Sequence, residues 1–180
     1  MLIVFGGLPG TGKTTISRAL ANRRAATCLR IDLIEQALRS AGIPAGSIGS
    51  AGYEVANVLA EANLLGGRTV VADCVNPVAE SRAAWKAVSV RAAVRLVEIE
   101  VICSDLLEHR RRVEERRSDI PGLTPPTWQS VMCHEYQPWD RRRFVLDTAR
   151  LGPEQAVAEV ERHIASESGD RLHQAAEALN

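Results

Sequence analysis

The chain of 180 residues is short of lysine, of aromatic residues and of net charge. Its 22 Lys plus Arg equal its 22 Asp plus Glu. That balance excludes a general binder of nucleic acid or acidic membrane, because affinity for a polyanion comes largely from an excess of cations. A local basic patch stays open. Only Lys13 and Lys86 are lysines, and the other 20 cations are arginines. Aromatic residues make up 4% of the chain against 46% hydrophobic residues overall, so the core has to be built mainly from Ala, Val, Leu and Ile. Unbroken apolar runs are strand-sized, as in Leu2-Ile3-Val4-Phe5, far short of the roughly 20 residues that cross a bilayer. No basic leader with an extended apolar region is present, which makes the cytoplasm the expected location. The cysteines Cys28, Cys74, Cys103 and Cys133 form no CxxC pair. Neither a disulfide framework nor a zinc site is expected, and buried reduced thiols are.

What is present is an alternation. Apolar runs at Leu2–Phe5, Thr27–Ile31, Thr69–Cys74, Val94–Cys103 and Phe144–Leu146 read as five strands. Helical patterns separate them: Lys13–Arg24, Leu33–Arg39, Val55–Leu65, Pro77–Val90, a stretch capped by Ser104 and ending near Arg117, Pro126–Tyr136, and Pro153–Ala165. In the third of these, Val55, Val58, Leu59, Ala62 and Leu65 supply the apolar face. Ser40–Gly52, rich in Gly, Ala and Ser, reads as a mobile connection. In the fourth strand Glu98 and Glu100 share a face with Leu96 and Ile102, and buried carboxylates need partners, so pairing with arginines is expected. The pattern predicts an α/β fold with a parallel sheet and helices on both faces, joined by right-handed crossovers. One domain over residues 1–168 and a polar tail at 169–180 fit the length.

Between the first strand and the first helix stands Gly7-Leu8-Pro9-Gly10-Thr11-Gly12-Lys13-Thr14-Thr15. This fits G-x-x-x-x-G-K-[ST] in the context that a phosphate-binding loop requires. Glycines let consecutive N–H groups turn inward toward phosphate oxygens, and the following helix adds its positive end. Lys13 is the candidate for the β- and γ-phosphates of ATP and the Thr14 hydroxyl for Mg2+.

Two carboxylates narrow the chemistry. Asp73 closes the apolar strand Val70-Val71-Ala72, where an acid can hold Mg2+ through its water shell. Asp32 follows the second strand and is the candidate to take the proton of an attacking hydroxyl, or to cap the helix after it. The run His109-Arg110-Arg111-Arg112-Val113-Glu114-Glu115-Arg116-Arg117 puts Arg112 and Arg116 one turn apart on one face. Guanidinium groups closing over a nucleotide stabilise transferring charge and exclude water, so residues from about 105 to 138 read as an Arg-rich helical lid. Arg141-Arg142-Arg143 raises a nucleic-acid substrate as an alternative, weakened by the neutral net charge, with local salt bridges beside the fifth strand as the plainer role. Trp85, Trp128, Tyr136 and Trp139 are expected mainly to pack.

GLPGTGKTT, Asp32, the acid-ended third strand, the Arg-rich helix and Leu146-Asp147-Thr148 together resemble the small P-loop kinases. The pattern is similar to predicted kinases grouped as AAA family ATPases, and to chloramphenicol phosphotransferase, zeta toxins and polynucleotide kinase domains. The resemblance spans about residues 1–165, with only the phosphate loop highly specific. It implies a sheet ordered 2-3-1-4-5, Asp32 as activator of an acceptor hydroxyl, and the loop from Thr148 to Pro153 against adenine. The implied activity is ATP-dependent phosphorylation of a small-molecule hydroxyl, with a polynucleotide 5′-hydroxyl kinase, an adenylyl-sulfate kinase or an acceptor-free ATPase switch as alternatives. No NKxD-type guanine signature is present, and the oligomeric state stays open.

Overall fold

A computed structural model describes the backbone of residues 1–48 and 50–177, and the side chains of these residues other than 45, 47 and 167–177. Along the chain run β1 (Leu2–Gly6), α1 (Lys13–Arg23), β2 (Thr27–Arg30), α2 (Ile31–Ser40), α3 (Ala45–Ile48), α4 (Ala51–Leu65) and β3 (Val70–Asp73). There follow α5 (Ala79–Arg91), β4 (Leu96–Ile102), α6 (Leu106–Glu115), α7 (Trp128–Met132), β5 (Phe144–Asp147) and α8 (Pro153–Glu177). All four strand pairings are parallel and the order is β2-β3-β1-β4-β5. Every residue of β1 is buried, as the near-continuous apolar run of a central parallel strand demands.

Alternate side chains of the sheet feed two apolar layers. Ile3, Phe5, Val97, Ile99 and Val101 pack with Ile16 and Leu20 of α1 and Val157 and Val160 of α8. Leu2, Val4, Val70 and Ala72 pack on the other face with Ala56, Ala60 and Leu64 of α4 and Trp85 and Val88 of α5. The two glutamates of β4 find the arginines expected of them: Arg141 holds Glu98 at 2.5 Å and Arg143 holds Glu100 at 2.8 Å.

Several expectations are corrected. The sheet takes the small-residue face of α4 (Ala56, Ala60, Leu64), while Gly52 closes against Glu35 of α2, leaving Val58 69% and Leu65 67% exposed; close approach to the sheet outweighs side-chain size. Part of the expected mobile connection forms α3, and α2 reaches Ser40. The cap of α6 is Asp105, which accepts from the amides of Leu107 and Glu108, because Ser104 instead donates to Asp147. The last helix continues past Ala165 to Glu177, while 178–180 of the expected tail lie outside the described residues. Cys74 and Cys103 are buried, but Cys28 and Cys133 are exposed; all four are free. Among the described residues, no helix is long and apolar enough to cross a membrane.

Candidate active site

The site is built at the carboxyl ends of β1, β2 and β3. After β1 the chain turns through the glycine-rich loop, and two glycines there are irreplaceable on steric grounds. Gly7 has φ +136°, and a Cβ on it would stand 2.2 Å from the Val101 carbonyl oxygen. Gly10 has φ +85°, and a Cβ would stand 2.4 Å from Val113 of α6. Lys13 opens α1, 6% exposed, with Nζ 3.4 Å from the Leu8 carbonyl oxygen.

Asp73 is the last residue of β3, in register with Phe5 of β1 and Arg30 of β2. Its side chain is 2% exposed, and both carboxylate oxygens are buried without a hydrogen-bond donor. Burial pushes its pKa up, while Lys13 and the Thr14 hydroxyl pull it back. An unsatisfied buried carboxylate beside a threonine hydroxyl at a phosphate loop fits a hydrated Mg2+. Among the described residues no three His, Cys, Asp or Glu side chains cluster as a metal cage. Mg2+ is usually held by one or two carboxylates and the substrate's own phosphates.

Three cavities meet here. The largest, about 340 Å3, is faced by Gly10, Gly12, Lys13, Thr14 and Thr15 of the loop and by Arg112 and Arg116. A second, about 120 Å3, brings Asp32 together with Lys13, Arg116, Pro9, Ser118 and Thr124. A third, about 260 Å3, is bounded by Gly12, Thr15, Arg112, Thr148, Leu151 and Pro153. Lys13 and Arg116 are common to the first two, and Arg112 to the first and third. Gly7 and Thr11 border a different groove behind the loop; the Thr11 hydroxyl is spent on the Leu8 carbonyl at 2.9 Å.

Asp32 does not cap α2. The cap is Arg30 in extended backbone, and Asp32 sits in the first turn, one-third exposed, which frees its carboxylate for the pocket. Arg112 and Arg116 do not share a helix face either. The helix ends at Glu115, so Arg116 continues in extended backbone. Arg112 donates to Glu108 at 2.7 Å and to the Thr148 hydroxyl and carbonyl at 2.9 and 3.1 Å. Arg116 makes no ion pair among the described residues. Thr148 is further tied down by its hydroxyl, which donates to the Thr11 carbonyl at 2.7 Å.

Arg30 is the residue that sequence reasoning missed. Only 6% exposed, it lies 3.7 Å from Asp73, 3.8 Å from Asp32 and 2.8 Å from Asp119. An arginine closing a strand looks like a polar exit to solvent; the only sequence signal was its place two residues before Asp32.

A parallel 2-3-1-4-5 sheet, with a glycine-rich loop and buried lysine after its central strand, defines a P-loop nucleotide-binding fold of the kinase-like type. The chain belongs to the AAA domain family, whose model matches residues 2–122. Among solved structures it is similar to a gluconokinase from Sinorhizobium meliloti, at 17% identity over 96% of this chain and 95% of that one, with a TM-score of 0.68. An APS kinase from Mycobacterium tuberculosis, in complex with AMPPNP and APS, matches at 20% identity over 89% and 95%, TM-score 0.57. Kti12 from Chaetomium thermophilum, in complex with ADP-AlF3, matches at 18% identity over 90% and 98%, TM-score 0.62. At these identities the likeness is one of fold. No curated protein matches.

Proposed function

We propose that the chain is a kinase that transfers the γ-phosphoryl group of ATP to a hydroxyl of a small-molecule acceptor. The observation that carries this reading is the small pocket holding Asp32, which shares Lys13 and Arg116 with the phosphate cavity. A hydroxyl bound there stands beside a carboxylate on one side and the phosphates on the other. An acceptor-free ATPase has no need of that pocket.

In this reading the loop amides and Lys13 hold the β- and γ-phosphates, and the base lies in the cavity of Thr148, Leu151 and Pro153. Thr14 and Asp73 would hold Mg2+, which when bound neutralises charge on the β- and γ-oxygens. Asp32 takes the acceptor proton as the acceptor oxygen bonds to the γ-phosphorus and the bond to the β-phosphate oxygen breaks, leaving ADP. Lys13 and Arg116 offset the charge that collects on the equatorial oxygens. Residues from about 105 to 138 form the lid over this chemistry. At about 120 Å3, with Ser118, Thr124 and prolines 125 and 126 in its wall, the acceptor pocket suits a molecule of sugar size better than a polynucleotide end. Engagement of Arg141 and Arg143 by Glu98 and Glu100 also removes most of the basic patch that a nucleic acid would use.

The test is a screen of hydroxylated metabolites and antibiotics for Mg2+-dependent transfer of labelled γ-phosphate. Transfer to at least one small hydroxyl compound is the expected result. Transfer only to oligonucleotide 5′ ends, or ATP hydrolysis indifferent to every acceptor but coupled to a partner protein, refutes the proposal.

A further inference from the structure

Asp119 lies between α6 and α7, three residues beyond Arg116. Two arginines of the sheet-and-helix body hold its carboxylate. Arg30 Nη1 donates to Oδ1 at 2.9 Å and to Oδ2 at 2.8 Å, and Arg18 Nη2 of α1 lies 2.9 Å from Oδ2. All three side chains border the phosphate cavity, where Asp119 is the one carboxylate among lining residues that include Lys13, Arg112, Arg116 and Arg117.

A carboxylate in the wall of an anion cavity opposes phosphate binding, so its place there calls for a compensating role. The backbone provides one. With α6 ending at Glu115, Arg116 follows in extended backbone, outside the helical hydrogen bonds, so the segment has to be held from its far side. There Ile120 is buried, and the Ser118 hydroxyl donates to the Ile120 carbonyl at 2.9 Å and accepts from the Ile120 amide at 3.1 Å. This tight turn presents Asp119 to Arg30 and Arg18, fixing where Arg116 stands between the phosphate and acceptor cavities. Arg30 is a rigid partner: it is buried at the end of β2, with Nε and Nη2 free of hydrogen bonds and directed between Asp73 and Asp32.

We propose that Asp119 is a positioning residue that latches the Arg116 segment over the phosphate cavity through its bridge to Arg30 and Arg18. The proposal rests on the phosphoryl-transfer reading, which gives Arg116 its role. It adds that the segment is anchored by charge to the end of β2 and to α1.

The full chain with Mg2+ and AMPPNP, or ATP for turnover, supplies the test in two readouts. By hydrogen exchange, Asp119→Asn is expected to speed amide exchange across residues 116–120 about tenfold or more, with a moderate fall in melting temperature, because the buried Arg30 loses its ionic partner. Arg18→Gln, a surface change on the opposite partner, is expected to have a smaller effect in the same direction. Kinetically, Asp119→Asn is expected to lower kcat about 10- to 100-fold while AMPPNP affinity stays within about threefold. In an Arg116→Ala background it is expected to lower kcat no further, because a residue acting through another adds nothing once the other is gone. Unchanged exchange in both variants, or losses in kcat that simply multiply, overturns the latch. If the parent protein turns over no ATP with any acceptor, the kinase reading fails, while the exchange experiment still decides whether Asp119 holds the segment.

Discussion

The imidazole Nε2 of His109 stands 2.8 Å from the carbonyl oxygen of Pro9. This contact ties α6 to the glycine-rich loop, and Val113 and His109 close against Gly10 from the same side. Trp128 of α7 meets His109 edge-on at 5.2 Å, so the segment after α6 braces the same ring. The shape of the loop is therefore set partly from outside it.

Gly10→Ala is expected to cost the loop about 1–2 kcal/mol or more, through the strained φ and the crowding at Val113. Nucleotide affinity should fall by about tenfold. His109→Ala should produce a milder loss in the same direction. Calorimetric titration with AMPPNP measures both; unchanged affinity in Gly10→Ala contradicts the bracing of the loop by α6.

Arg82 is fully buried and satisfies the carbonyls of Asn76, Pro77, Gln137 and Pro138, while its guanidinium lies 4.3 Å from the Trp139 ring centre. Arg82→Met strips donors from four carbonyls at once, and a loss of about 3 kcal/mol or more is expected. For a chain of this size that lowers the melting temperature by about 6–12 °C. Thermal unfolding followed by circular dichroism reads the shift, and a shift below about 2 °C refutes the assignment.

Removing Arg141 strands the buried Glu98 carboxylate. Arg141→Ala is expected to destabilise by about 2–4 kcal/mol, with no change in the binding of single-stranded oligonucleotides at any salt concentration. Denaturant unfolding and fluorescence anisotropy check the two halves. A variant of parental stability that loses salt-sensitive oligonucleotide binding would restore the nucleic-acid reading.

Mg2+ is expected to bind measurably only together with nucleotide, because Asp73 and Thr14 alone supply too few ligands. EDTA should abolish transfer, and Asp73→Asn should weaken the Mg2+ dependence of nucleotide binding about tenfold or more. Calorimetry with Mg2+ alone and with Mg2+ plus AMPPNP distinguishes the cases; tight binding of the ion by itself contradicts the assignment.

The Arg30 hydrogen bond holds the Asp119 carboxyl below its ordinary value of 3.8. A carboxylate depressed on folding contributes stability above its unfolded pKa and loses it only as pH falls through the lower folded value. Exchange across 116–120 should therefore show no titrating step between about pH 5 and 8. A step in that window contradicts the Asp119 bridge.

The phosphate loop and the strands themselves were legible because they rest on local signals: glycines where the backbone must turn, and apolar runs ended by acids. The order of those strands came only from the resemblance to the small P-loop kinases, since an apolar run does not say which strand it pairs with. The exposed side of α4 was not. Val55, Val58, Leu59 and Leu65 form the more apolar stripe, yet close packing against β2 and β3 favours the alanines, a requirement of the sheet that periodicity within one helix does not carry. Arg116 was misplaced on a helix face because nothing between Glu115 and Arg116 marks the break. The pairing of Arg30 with Asp119 escaped notice, since an ion pair spanning 89 residues leaves no spacing to read; Asp119 reads in sequence only as part of the break after the Arg-rich helix. The aromatic residues did behave as packing groups: Trp85 is fully buried, while Tyr136 and Trp139 flank Arg82.

The most direct measurement is phosphate transfer and AMPPNP binding by Asp32→Asn, made side by side on one preparation. The substitution keeps the shape of the pocket and removes only the group that takes the proton. Loss of transfer by about 100-fold or more, with nucleotide affinity unchanged, is the predicted result. Full turnover in Asp32→Asn would contradict the account.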